Sequence, residues 1–156
     1  MSPGEQKSCI SLILTQNQNK SRYGIIHVMK FKTAILAIIS VVVVHFIAGF
    51  SGIYETFESF DIPMHFFGGF ALAMLAIAAN RFYRTKHKPA SQPLWHSLIF
   101  VLGFVMIISV LWEFMEFTLD ATLGTHNQLG LFDTMKDLFM GLLGSPFGYW
   151  LGKKQE

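Results

Sequence analysis

Residues 111–144 read LWEFMEFTLDATLGTHNQLGLFDTMKDLFMGLLG. An apolar run closes on Glu113, Glu116 and Asp120, a glycine-containing loop follows, and a second apolar run opens on Asp133 and Asp137. A third acidic start, DIPMHFFGGF from Asp61, precedes another apolar run. Carboxylates and a histidine within membrane-length segments are energetically expensive, and they mark functional sites more often than neutral positions do. The reading of this stretch is a membrane helix, an outer loop and a second membrane helix, with polar groups gathered at one end.

Composition points the same way. Of 156 residues, 52% are apolar, 14% are charged and 16 are Phe. A soluble domain carries charge at about a quarter of its positions, so this chain needs a solvent other than water. Apolar runs of about 20 residues, the length that crosses a bilayer as helix, recur along it. Cys9 is the single cysteine, which leaves no internal disulfide and no cysteine-based zinc site.

Taken in order, residues 1–29 are polar and mixed and read as a loosely ordered tail. MKFKTAILAIIS from Met29 has the form of a start as well as Met1 does; a cleaved signal peptide is disfavoured, because the apolar run is long and no A-x-A site follows. The membrane domain is expected over 30–152, with helices at about 31–50, 62–80, 94–119 and 133–151, and a basic end at 153–156. Arg81, Arg84, Lys86 and Lys88 lie between the second and third helices, and Lys153 and Lys154 follow the fourth. The other two loops are acidic, and of the 12 basic residues only Lys136 falls on their side. Basic loops stay inside. The expected fold is therefore all-α: a polytopic four-transmembrane-helix bundle in the inner (cytoplasmic) membrane, with both termini inside. Nucleic-acid binding is disfavoured, since the basic loops fit topology and contact with the lipid bilayer.

Helical rise then sets the depth of the polar groups. His65 is 16 residues from Arg81 and Asp137 is 16 from Lys153, each about 24 Å; Glu113 is 18 from Trp95, about 27 Å. Three helices thus bring their polar groups to one level, just below the outer surface of a core about 30 Å thick. Asp61 and His65, then Glu113, Glu116 and Asp120, then Asp133 and Asp137 are spaced so that each set shares a helix face. Carboxylates and an imidazole converging from separate helices suit a hard divalent metal such as Mg, Mn, Zn or Fe; the alternatives are that Lys136 and a protonated His65 compensate the charge, or that some of the acids are neutral and pass protons. The expected ligands are Asp61, His65, Asp133 and Asp137, with Glu113 and Glu116 as catalytic carboxylates.

Singly, each residue has a plainer reading. Asp61 and Asp133 cap helices, Asp120 is a wet loop residue, Lys136 pairs with Asp133 or Asp137, and His45 and His65 bond to neighbouring helices. Their shared depth is what those readings leave unexplained. Gly144, Gly148 and Gly152 recur every fourth residue and let another helix approach closely. The partner of that face is either the second helix, with Gly68, Gly69 and Ala73, or a homo-oligomer or partner membrane protein. Pro146 is expected to disturb the last helix by removing one bond to Leu142.

Asp61-x-x-x-His65-Phe66-x-x-Gly69-Phe70, then Trp112-Glu113-x-x-Glu116, then Phe132-Asp133-Thr134-x-x-Asp137-Leu138 with Gly144 resembles the YjdF-like family of small, uncharacterised bacterial and archaeal inner-membrane proteins. More loosely it resembles the VanZ-like family, linked to glycopeptide resistance and the cell envelope. Ile62 stands where the VanZ-like pattern has Lys, and Asp137 where it has Asn. The resemblance covers about residues 54–150 and implies that the acidic residues and His65 form the site.

Three functions remain open: an enzyme acting at the outer leaflet on a lipid-linked or cell-envelope substrate, an ion- or proton-coupled transporter subunit, and a structural or accessory protein.

Overall fold

A computed structural model describes residues 31–87 and 93–154, so the expected tail over 1–29 and the last two residues lie outside it. The described chain is helical. α1 covers Phe31–Phe50. A short α2, Ile53–Thr56, and a 3-10 turn, Glu58–Phe60, lead into α3, Asp61–His87; α4 is Leu94–Leu123 and α5 is Leu131–Lys154. Each of the last three runs past its apolar stretch, because the backbone ladder continues while side chains turn polar. Arg84, Lys86 and His87 occupy the last turn of α3, where positive charge meets the negative end of the helix dipole. Pro63 sits in the first turn of α3, where no bond is lost. α4 stops at Gly124, whose φ of 68° is the left-handed conformation that ends a helix, and its N–H bonds the Asp120 carbonyl at 3.1 Å.

Among the described residues, α1, Asp61–Arg84 of α3 and α4 are long and apolar enough to cross a membrane. α5 falls short, since Asp133, Lys136 and Asp137 open it and four glycines dilute it. The exposed surface is nevertheless apolar on every long helix, with Phe46, Phe67, Ile107, Phe114, Phe139 and Trp150 among the exposed side chains. Such a surface belongs in lipid, where only internally bonded backbone is tolerated.

The tightest packing joins α3 and α5. A Cβ built on Gly69 would run into the Gly141 backbone, one on Gly144 into the Phe66 carbonyl, and one on Gly148 into the Phe70 carbonyl. The contacts climb both helices together, so α3 and α5 run parallel. The Gly144/Gly148/Gly152 face is therefore filled from within the chain. It is not a free surface for a second copy or a partner, as the alternative expectation had it, because Phe66, Phe70 and Ile77 already occupy it. α5 also runs on through Pro146. The Leu142 carbonyl, which loses its backbone donor there, accepts the Ser145 hydroxyl at 2.7 Å.

α4 closes the bundle. Val101 and Val105 pack with Ala73, Ala76 and Ile77 of α3 into an apolar core. At the far end the Arg81 guanidinium donates to the Lys153 carbonyl at 3.4 Å, and Asn80 Nδ2 donates to Ser97 Oγ at 3.2 Å. Substituting Gly148→Leu should therefore destabilise the detergent-purified protein by at least the ~1–3 kcal/mol typical of overpacking. Gly103→Leu, where added atoms meet open space, should leave the melting temperature within about a degree. Equal melting of the two would show that the close approach is not where stability resides.

Candidate functional site

The parallel register of α3 and α5 fixes the site. Gly141 lies 3.7 Å, measured from its built Cβ, from the His65 carbonyl. One helical turn back along both helices, Asp137 stands beside Asp61. Asp61, His65 and Asp137 each offer a donor atom, all within 4.8 Å of one another. Glu113 and Glu116, one turn apart on α4, complete a second such group with His65. His65 is the shared member. Its Nε2 lies 3.3 Å from Asp61 Oδ1, and its side chain is largely buried.

Burial makes the arrangement demanding. Asp137 is 2% exposed, Glu113 5% and Glu116 6%. Glu113 Oε1 and Asp137 Oδ1 are buried without a hydrogen-bond partner. Buried carboxylate oxygens are normally satisfied, because stripping them of water is expensive. The Lys136 ammonium is 3.6 Å from Asp137 Oδ1, beyond hydrogen-bond length, and is held by Asp133 instead. Four carboxylates thus surround one imidazole, and two of their oxygens are buried without a hydrogen-bond donor.

Asp133 does not join this cluster. It pairs with Lys136 and accepts the Leu129 N–H at 3.2 Å, so it shapes the entry of α5 and steers Lys136. Its spacing from Asp137 puts both on one face, yet only Asp137 reaches inward. Asp120 is also outside, but it is more than a wet residue. It accepts Thr125 Oγ1 at 2.6 Å, the Asn127 N–H at 2.9 Å and the Gln128 N–H at 2.8 Å. The loop so folded lays Gln128 over the site, where its Nε2 donates to Glu113 Oε2 at 3.2 Å and to Thr134 Oγ1 at 2.7 Å.

A second network orients Glu116. Trp112 Nε1 donates to Glu116 Oε1 at 2.8 Å. The Trp112 ring meets His45 edge-on, with ring centroids 5.1 Å apart. Tyr54 and His45 Nδ1 are 2.8 Å apart. Burial pushes the Tyr54 hydroxyl above the usual phenol range, and the Asp61 and Glu116 carboxylates push it the same way. The hydroxyl therefore stays protonated, and one hydrogen bond joins it to His45 Nδ1. Sequence reasoning missed Gln128, Tyr54 and the Trp112 bond. The four-residue spacing of Trp112 and Glu116 could have revealed the last; nothing local marks Gln128 or Tyr54.

The family described as "Predicted membrane protein (DUF2238)" matches residues 26–155. A Thermotoga maritima protein named "Uncharacterized protein" is 35% identical over 117 residues, which cover 70% of this chain and 56% of that relative. The chain thus spans little more than half the length of the curated relative it matches. No solved structure matches significantly.

If Asp120 organises the loop, Asp120→Ala should speed amide exchange at Asn127 and Gln128 roughly tenfold, the factor set by ~1.4 kcal/mol of lost protection. Exchange inside α3 should not change. Unaltered exchange at both loop amides would remove Asp120 from that role.

Proposed function

Since the chain belongs to the DUF2238 family of predicted membrane proteins, we propose that it is a polytopic inner-membrane protein whose carboxylate–histidine cluster holds a divalent cation at the outer face and acts there on a lipid-linked or cell-envelope substrate. The observation that carries the reading is the pair of buried oxygens without a hydrogen-bond donor, Glu113 Oε1 and Asp137 Oδ1, on carboxylates grouped with one imidazole. Several carboxylates in a poorly solvated place need a compensating positive charge. Lys136 answers for Asp133 and in part for Asp137, His65 stands against Asp61, and in this reading a cation answers for the remainder.

The topology in this reading has four crossings. α5 is the fourth, because it lies parallel to α3 along its length and carries lysines at its far end. Both termini and the basic 81–88 segment then sit inside. The 30–152 region is the membrane domain. The YjdF-like resemblance agrees with family membership, and the looser VanZ-like one contributes no residue or activity.

Asp61, His65 and Asp137 are the ligands in this reading. Hard carboxylate oxygens with one imidazole suit Mg, Mn, Zn or Fe. A cation so bound supplies Lewis acidity toward a phosphoryl or carbonyl oxygen, or a more acidic water. Glu116, held by Trp112, is the carboxylate placed to accept a proton, and Glu113, held by Gln128, faces the same space. Transport is the weaker reading. Below the cluster Ala73, Ala76, Ile77, Val101 and Val105 form an apolar core, and among the described residues the buried polar side chains there are the neutral Ser109 and Ser145.

Metal content decides the matter. Protein purified in mild detergent without chelator should carry near-stoichiometric metal by elemental mass spectrometry. His65→Ala and Asp137→Asn should lose it while remaining folded. Returning saturating metal to stripped wild type should raise its melting temperature by roughly 5–10 °C, as ligand at about a hundred times its Kd stabilises the folded state. A folded wild type that takes up none of Mg, Mn, Zn or Fe would end the cation reading.

A further inference from the structure

Between α1, α3 and α4 lies an apolar cavity of about 160 Å³ that no part of the cluster fills. Its lining changes character along its length. His45, His65 and Trp112 border it at the Asp61 end, and Ile38, Leu72 and Ile108 border it at the other. From His65 to Leu72 is seven residues of α3, so the cavity reaches about 10 Å along the helix axis below the histidine. His65 is thus at once the shared member of the carboxylate cluster and part of the cavity's polar end. A dry apolar cavity of ~150 Å³ is known to accept benzene rather than water. This one is large enough for a length of hydrocarbon and too apolar for a headgroup.

We propose that this cavity holds one acyl chain of a membrane lipid whose polar head sits at the His65 cluster. The inference rests on the cluster being the reacting centre, and it names the substrate class for it: an acyl lipid rather than a water-soluble molecule. Three observations select that occupant. The polar-to-apolar gradient runs in the direction a lipid of the outer leaflet would need, with its head at the cluster and its tail toward the membrane centre. α1 forms one wall and is the least enclosed of the crossing helices, with 11% of its apolar window buried against 44% for α3. A wall held that lightly lets a chain enter sideways from the bilayer. Gly68 borders the cavity, and a Cβ there would meet nothing within 4 Å. Its neighbour Gly69, by contrast, is pressed against Gly141. The helix pair explains Gly69 and leaves Gly68 as empty space in the chain's path.

Photolabelling tests this on the full-length protein in nanodiscs doped with phosphatidic acid carrying a diazirine in one acyl chain. Peptide mapping should place label at Ile38, Leu72 and Ile108 well above the lipid-facing Ile107 and Phe139. Unlabelled phosphatidic acid should compete for the cavity positions alone. Gly68→Leu fills the space with a helix-favouring side chain and should cut cavity labelling at least fivefold without changing that at Phe139. Val42→Phe, from the α1 wall, should do the same. Labelling spread evenly over cavity and lipid-facing positions would overturn the inference, and the wild-type map alone is enough to overturn it if both variants misfold. Competition by a polyprenyl phosphate but not by phosphatidic acid would overturn the acyl assignment in favour of an isoprenoid chain. Metal measured on the same samples separates the two proposals. Cavity labelling in metal-free wild type leaves the chain site standing without the cation, and metal without cavity labelling overturns this inference alone.

Discussion

At Gly69, Gly144 and Gly148 the backbones of α3 and α5 touch where any larger residue would hold them apart, Gly69 lying against the Gly141 backbone. In a bilayer no hydrophobic force drives helices together, so association rests on van der Waals fit and bonds between helices, and close approach matters more than apolar area. That contact also sets register. With Gly141 fixed against the turn of His65, Asp137 has nowhere to be but beside Asp61. The polar cluster is thus a consequence of the small-residue seam one turn away.

The same seam uses up the surface that could have joined two copies. A row of glycines on a membrane helix serves either another chain or its own, and here Phe66, Phe70 and Ile77 fill the grooves. What remains outside is large and apolar and faces lipid. What remains inside, between α3, α4 and the lightly held α1, is the cavity that ends at His65. The bundle therefore has one well-packed half, α3 with α5, and one looser half at α1. The cluster sits at their boundary.

Around the cluster, a layer of neutral donors fixes which oxygens are satisfied. Gln128 serves one oxygen of Glu113, and Trp112 serves one of Glu116. Each arrives through a further support: Asp120 folds the loop that carries Gln128, and the His45–Tyr54 pair packs against Trp112. The oxygens left over, on Glu113 and Asp137, are buried without a hydrogen-bond donor, and the one on Asp137 has the Lys136 ammonium 3.6 Å away.

The sequence by itself determined the membrane class, the helical architecture and the level at which polar groups lie. Those follow from the number of apolar residues in a row and from a rise of about 1.5 Å per residue, which no tertiary contact can alter. Spacing also put Asp61 with His65 and Glu113 with Glu116, since residues four or three apart share a helix face. Which faces turn toward one another was decided only by packing. Asp133 and Asp137 look equivalent as an i, i+4 pair, yet the rotation imposed on α5 by its glycine seam buries Asp137 and leaves Asp133 to Lys136. The reach of Gln128 from a loop and of Tyr54 from a short helix depends on chain reversals that carry no periodic signal. The cavity exists only as the gap left where α1, α3 and α4 meet.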